Sequence, residues 1–379
     1  MTALLNNLRL RLSITKDLGA LVRLEEVAFT SDRFTAEHIE YLLSRARSTI
    51  FIAEINGEVA GAAYLLWRKK AQSGRLYNFA VDPRYQAMGI GSLLLQESER
   101  EAARRGYLKM NLEVRLDNES VIRYYELRGY QAFKQTPDFY DDGSPALRMS
   151  KAITINLPTQ IRYKVPYYSQ TLGFTCGPAC LIMAMKYFQP HKKINRTLEM
   201  NLWKEATLIF MTSGIGGTDP FGIALAAVYR HFPVRVLAST EKTPFVRSVR
   251  IPEKRTIIRL VHGDMKNRAL AKGVGFSAYD FGFDDIKSAL LQGWIPIALI
   301  STYRLLGTRE PHWVVITGFD ENYVYVNDPY LARDNGNIPM ARNIRIEHKE
   351  FHRMSRYGKD VYRCTVFIGK PEMNPASNN

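Results

Sequence analysis

Residues 76–81 read as a short apolar strand that runs through Asp82-Pro83-Arg84-Tyr85-Gln86-Ala87-Met88-Gly89-Ile90-Gly91-Ser92 into an amphipathic helix over 91–106. A strand that feeds a long helix through so tight a turn commits this part of the chain to a layered α/β design, with the helix lying back on a sheet. The rest of the region keeps that alternation. Strands are expected at 8–14, 50–55, 59–66, 110–115, 133–139 and 146–150, and helices at 18–28, 35–45 and 120–128. Asn56-Gly57 between two apolar runs is the residue pair of a two-residue hairpin turn. Gly89 and Gly91 leave room for an anion at the helix start, where backbone N–H groups and the helix dipole converge. The third glycine of a dinucleotide fingerprint is missing, so that reading is set aside.

A chain of 379 residues exceeds one ordinary domain. Residues 153–160 are uncharged and contain Pro158, which suggests a linker between a first domain at 1–152 and a second at 161–370, with a polar tail over 371–379. Charge agrees with this division. Residues 1–152 hold 22 basic and 19 acidic side chains against 52 and 37 in the whole chain, so only +3 of the net +15 lies there. In the second part, helices are expected at 176–188, 198–210, 220–231, 264–271 and 284–292, and strands at 295–300, 312–320, 323–327 and 361–368. No apolar run approaches the roughly 18 residues of a membrane span, and the N-terminus lacks the pattern of a secretory signal. Cys176, Cys180 and Cys364 make neither a disulfide framework nor a common zinc spacing. A cytoplasmic protein with reduced thiols and no metal is the expectation.

The segment Gln86–Gly91, together with Leu112-Glu113-Val114-Arg115, Asn118 and Tyr125-Glu126-Leu127-Arg128-Gly129-Tyr130, resembles the GCN5-related N-acetyltransferases (GNAT). Within that family it is most similar to the ribosomal-protein alanine type. The resemblance covers residues 8–151 and implies a mixed central sheet with acetyl-CoA as cosubstrate. It implies coenzyme contacts from Ala80, Val81, Gln86, Met88, Gly89, Ile90, Gly91, Ser92 and Asn118, the backbone at 80–81 pairing with the pantetheine arm. By the same resemblance Glu113 is the base that deprotonates the amine and Tyr125 the acid that protonates the leaving thiolate. From the residues alone, a solvated strand carboxylate and a packed helix tyrosine describe these two positions equally well.

In the second part, Cys176 stands where an apolar helix begins, a position that favours thiolate, the nucleophilic form. Gln170 lies six residues upstream; His312 follows 136 residues after the cysteine on an apolar strand, and Asp328 closes the next hairpin strand. Thiol at a helix start, distant histidine, then an Asx residue is the chain order of papain-like enzymes. The motifs look like those of the bacteriocin-processing cysteine peptidases, family 39 of that class, over roughly 161–370. The resemblance implies that Cys176 attacks a peptide carbonyl, His312 carries the proton, Asp328 orients the imidazole and Gln170 binds the oxyanion. Two departures limit what it carries over: those peptidases are commonly fused to transporter segments, and their usual aspartate before the cysteine is Thr175 here.

The whole is thus expected to be α/β (α+β), an acetyltransferase joined to a papain-like peptidase, acting on a peptide or protein substrate. Cys180 and Cys364 read as buried structure, and no partner is assigned to His38, His191, His231, His262, His348 or His352. Gly214-Ile215-Gly216-Gly217 reads as a turn before a helix start, and the basic stretch 242–272 as a solvated face or as a groove for an acidic substrate. Two other classes stay open: a catalytically silent receptor for coenzyme A or a peptide, and nucleic-acid association through the basic half. Oligomeric state is not read from the sequence.

Overall fold

The computed structural model describes residues 7–69, 71–208, 216–302, 310–330, 341–358 and 360–371. It divides into two compact units, Met1–Leu157 and Pro158–Asn379.

In the first unit a seven-stranded sheet runs in the order β1-β2-β3-β4-β5-β7-β6. The strands are β1 (Leu8–Leu12), β2 (Ser48–Ile55), β3 (Glu58–Leu66), β4 (Ser73–Val81), β5 (Lys109–Arg115), β6 (Gln131–Thr136) and β7 (Ala146–Ala152). Helices α1 (Leu18–Ala28) and α2 (Ala36–Ser44) bury Leu21, Leu24, Ile39 and Leu42 against Ile50 and Ile52 of β2. On the other face, α3 (Ile90–Arg104) and α4 (Glu119–Glu126) bury Ile90, Leu94 and Tyr125 among residues that include Phe51 and Ala53 of the same strand. Because β2 is covered on both faces, its sequence is a continuous apolar run rather than an alternation. The β2–β3 turn has positive φ at both Asn56 and Gly57, as the residue pair foretold. Strand β6 ends earlier than the expected 133–139, since Pro137 follows it and Asp138 takes a positive φ.

The feature that makes a site is a parting of strands. β4 and β5 pair in parallel only from Ser73–Lys109 to Leu76–Leu112. Beyond that point β4 keeps β3 on its other side, through Ala63–Phe79, Ala62–Ala80 and Gly61–Val81, but has no partner toward β5.

In the second unit the sheet order is β10-β9-β15-β11-β12-β13-β14, with β8 added against β12. These are β8 (Ile161–Arg162), β9 (Val234–Ala238), β10 (Gly275–Ala278), β11 (Ile295–Ser301), β12 (Pro311–Phe319), β13 (Tyr323–Asn327), β14 (Ile344–Glu347) and β15 (Cys364–Ile368). One face carries α5 (Cys176–Phe188), α6 (Arg196–Ala206), α7 (Pro220–Val228) and α8 (Pro252–Ala271). The other carries α9 (Phe283–Leu291) and α10 (His348–Met354). Every residue of α5 from Cys176 to Met185 is buried. A stretch with no wet face needs no amphipathic stripe, which is why the sequence is apolar from Cys176 to Met185.

Two differences from the sequence expectation have physical causes. Helix α8 begins at Pro252, twelve residues before the expected 264. Its buried positions are Ile258, His262, Met265 and Ala269, a regular helical stripe in which a histidine fills one core slot. His262 can do so because its Nδ1 meets Asp219 Oδ2 at 2.7 Å, and Asp219 also caps α7 by accepting from the amides of Phe221 and Gly222. Strands β9 and β10, parallel to each other, are too short to show a period. Gly214 and Ile215, in the turn noted above, and the tail from residue 372 lie outside the described residues.

Replacing His262 by Ala strands a fully buried Asp219 carboxylate oxygen, and an unsatisfied buried acceptor costs about 1–3 kcal/mol. The urea midpoint of the second unit should fall accordingly, whereas Arg259→Ala on the same helix should leave it unchanged; equal midpoints for the two variants would show that the pair holds nothing.

Candidate active sites

The cradle of the first unit is built where β4 leaves β5. Gly89 has φ 84° and opens α3 as its N-cap, a conformation that suits glycine, and the space a Cβ would take there is open. The amides of the first turn of α3 therefore face outward without obstruction. Gly91 is the second residue of α3, and a Cβ on it would come within 3.1 Å of the Tyr124 hydroxyl. Ile90 is 1 % exposed, and Met88 packs partly against the same core, so from these two only backbone is offered. Ser92 accepts a 2.7 Å hydrogen bond from Arg128, whose guanidinium lies 3.6 Å from the Tyr124 ring centroid. Gln86 donates to the Val81 carbonyl at 3.4 Å, closing the turn onto the end of β4. Asn118 is the N-cap of α4, accepting from the Val121 amide and the Ser120 hydroxyl. A parting of strands, an edge at Ala80–Val81 that pairs with no strand on the β5 side among the described residues, and an unobstructed helix start fit a long thioester carrying a diphosphate.

Glu113 follows the last β4–β5 pair. Its carboxylate takes one guanidinium from each neighbouring strand, Arg75 at 2.8 Å on one oxygen and Arg148 at 3.1 Å on the other. Tyr125 is 5 % exposed, its ring set edge-on to Phe79, Tyr124 and Tyr130. Burial pushes its hydroxyl up, so it keeps its proton and can only donate it to something basic.

In the second unit three distant segments converge. Cys176 begins α5 and lies close enough to His312, near the start of β12, to help raise its imidazolium. His312 Nε2 lies 2.8 Å from Asp328 Oδ1, and Asp328, just past the end of β13, is wholly buried. The same oxygen accepts from the Tyr330 amide. Burial alone would push His312 down, but the Asp328 carboxylate and the Cys176 contact outweigh it and hold the imidazolium up to about 10. Gln170 comes to the same place because its amide donates to the Pro329 carbonyl and Tyr167 Oη donates to the Asp328 carbonyl. Gln170 Nε2 gives one hydrogen to Leu172 O at 2.8 Å, which leaves its second hydrogen for another acceptor. Gly177 permits close contact behind the thiol: a Cβ on it would lie 2.1 Å from Thr218 Oγ1.

Residues 165–369 match the model of the Peptidase_C39 like family, and residues 18–130 that of the acetyltransferase (GNAT) family. The chain belongs to both families, one in each unit. An uncharacterized N-acetyltransferase of Methanocaldococcus jannaschii is 32% identical over 140 residues, 36% of this chain and 86% of that protein. An N-alpha-acetyltransferase of Sulfurisphaera tokodaii is 28% identical over 159 residues, 38% of this chain and 91% of its own length. Among solved structures, the ribosomal-protein-S18-alanine N-acetyltransferase of Escherichia coli is similar at 27% identity, covering 40% of this chain and 96% of that one, with a TM-score of 0.36.

The first unit is thus a GNAT-type acetyltransferase domain, and the C39-like domain has the papain-like fold. Cys180 and Cys364 are buried; Cys180 donates to the Trp313 carbonyl at 3.2 Å, and burial pushes both thiols up. Among the described residues, none of the helices is long and apolar enough to cross a membrane, and no group of His, Cys, Asp and Glu is placed to hold a metal. The sequence did not point to the arginine clamp on Glu113, to the Asp219–His262 pair or to Glu199, which is fully buried beside the Gln170–Cys176 loop. A lone Glu or Arg in a helix or strand carries no pattern; only the fold supplies its partner.

The raised His312 has a consequence for stability. Between its ordinary value of 6.5 and about 10 the folded chain binds more protons than the unfolded one, so this contribution is complete below 6.5 and is lost as pH rises through about 10. The unfolding free energy of wild type relative to His312→Gln should therefore fall from pH 7 to pH 10. A difference that stays flat or rises over that range would show that the imidazolium is not held.

Proposed function

We propose that this protein is a bifunctional enzyme: an acetyl-CoA-dependent N-acyltransferase whose acceptor is an amine of a peptide or protein, and a cysteine peptidase. The observation that carries the second half is the placement of Cys176 beside His312, and of His312 on Asp328, at the N-terminus of a helix buried from Cys176 to Met185. The Cys176 sulfur is the nucleophile of this arrangement. It attacks the peptide carbonyl, forming the C–S bond, while the second N–H of Gln170 faces the developing oxyanion. His312 then gives its proton to the departing amine as the C–N bond breaks, and draws one from water when the thioester is hydrolysed. Asp328 holds the ring in register throughout.

In the GNAT domain, acetyl-CoA when bound supplies the activated acyl group. Ala80, Val81, Gln86, Met88, Gly89, Ile90, Gly91, Ser92 and Asn118 line the region that would hold it. Glu113 accepts the proton of the acceptor amine through lone pairs not engaged by Arg75 and Arg148. Tyr125, kept protonated by burial, donates to the departing sulfur. Both chemistries suit a reducing compartment, and we place the protein in the cytosol. One sequence of events joins them: peptide cleavage exposes an α-amine, and an α-amine is an acceptor for acyl transfer. The names of the similar N-alpha-acetyltransferase and of the S18-alanine enzyme support an N-terminal acceptor.

Two arms test this. Candidate peptides incubated with the protein and acetyl-CoA should give cleavage products that gain an acetyl mass at the new N-terminus, with free thiol released from the coenzyme. Tyr125→Phe and Glu113→Gln should each slow thiol release about 10²–10⁴-fold, and Cys176→Ala should abolish cleavage and labelling by a thiol-directed epoxide. Products that always keep free amines would sever the coupling, and an epoxide that never labels Cys176 would make the second domain a silent binding module.

A further inference from the structure

Glu199 is a fully buried carboxylate that the mechanism above does not use. It lies in the first turn of α6, and its side chain points at the loop that carries both Gln170 and Cys176. One oxygen, Oε1, accepts from the Thr171 amide at 2.8 Å and from the Thr175 hydroxyl. The other, Oε2, accepts from the Tyr168 hydroxyl at 2.9 Å. Burial and this carboxylate push the Tyr168 hydroxyl up, so it remains a donor. The arrangement has a specific consequence. Thr171 follows Gln170 and Thr175 precedes Cys176, so the two donors on a single oxygen are the immediate neighbours of the oxyanion donor and of the nucleophile.

We propose that Glu199 is a positioning residue that fixes the separation between the Gln170 amide and the Cys176 sulfur. The inference rests on the cysteine-peptidase reading of this domain. If it holds, Glu199 matters to reactions at Cys176 that develop an oxyanion and not to those that do not. Oxyanion donors misplaced by a fraction of an ångström lose much of an effect that reaches about 10²–10³ in rate.

Two small reagents separate the cases in the full-length protein. p-Nitrophenyl acetate acylates the thiolate: the C–S bond forms, an oxyanion develops on the ester carbonyl, and p-nitrophenolate leaves. Iodoacetamide alkylates the same sulfur by direct displacement of iodide, with no oxyanion. The rates are read as p-nitrophenolate released above Cys176→Ala, and as the mass of the alkylated Cys176 peptide. Glu199→Ala should lower acylation about 10- to 100-fold while alkylation stays within about threefold. Glu199→Gln, which keeps an oxygen acceptor for both donors, should hold the ratio of the two rates near wild type. Should Glu199→Ala fail to fold, Thr175→Val, which removes one arm at nearly constant volume, should lower the same ratio. A ratio unchanged in the folded variants, or both rates falling together, would overturn the proposal. Equal alkylation of wild type and His312→Ala would instead bring down the underlying thiol–imidazole reading, and it shows before any Glu199 variant is made.

Discussion

An imidazole and a carboxylate shut away from water together set the terms for the C39-like domain. Asp328 is wholly buried, and an ionised carboxylate in that position is tolerable only with a partner and hydrogen bonds in place. His312 is that partner, and the Tyr330 amide supplements it. The pair in turn dictates what surrounds it. β12 must run beside β13 so that residues 312 and 328 meet, and the register Val315–Asn327 does this. The thiol must then come from the opposite side, and α5 brings it on the end of a helix so enclosed that it has no freedom to withdraw. Loop 167–170 is hydrogen-bonded to the backbone of residues 328 and 329, so Gln170 is indexed to the same segment as the carboxylate.

The GNAT domain solves a different problem, access rather than exclusion. The parting of β4 from β5 after Leu76 opens its sheet between the strands that carry Ala80–Val81 and Glu113. The base candidate stands at the lip of that opening between two arginines, while the acid candidate sits within an aromatic cluster on the other face. Glu113 and Tyr125 meet opposite environments: one is set between two guanidinium groups, the other is kept protonated by burial.

What the sequence disclosed followed a simple rule. Features whose meaning lies in adjacent residues were legible: the strand–turn–helix of 76–104, the Asn56-Gly57 turn, and α5 with bounds 176–188 as expected. The order Cys176, His312, Asp328 was legible through resemblance to a family, because no local rule joins residues so far apart. Features that depend on a partner elsewhere were opaque. His262 reads as an interruption in the apolar spacing of α8 until Asp219 is seen against it, and the first half of that helix was lost with it. β9 and β10 were missed because five and four residues show no period, although β9 lies between β10 and β15 inside the sheet.

Thr175 shows how a departure from a family pattern can be absorbed. The peptidases this domain resembles carry an aspartate just before the nucleophile, and a threonine there first reads as a loss of charge. Its hydroxyl, however, donates to Glu199 on α6 and accepts from the Leu172 amide at 3.3 Å. A carboxylate therefore still stands beside the start of α5, supplied by another helix through a hydroxyl bridge. An aspartate at 175 would set a second carboxylate against a buried one, which like-charge repulsion in a dry site disfavours. Position 175 and position 199 are thus one physical unit read from two places in the chain: given a glutamate on α6, a hydrogen-bond donor is the residue type that the position before Cys176 can accept.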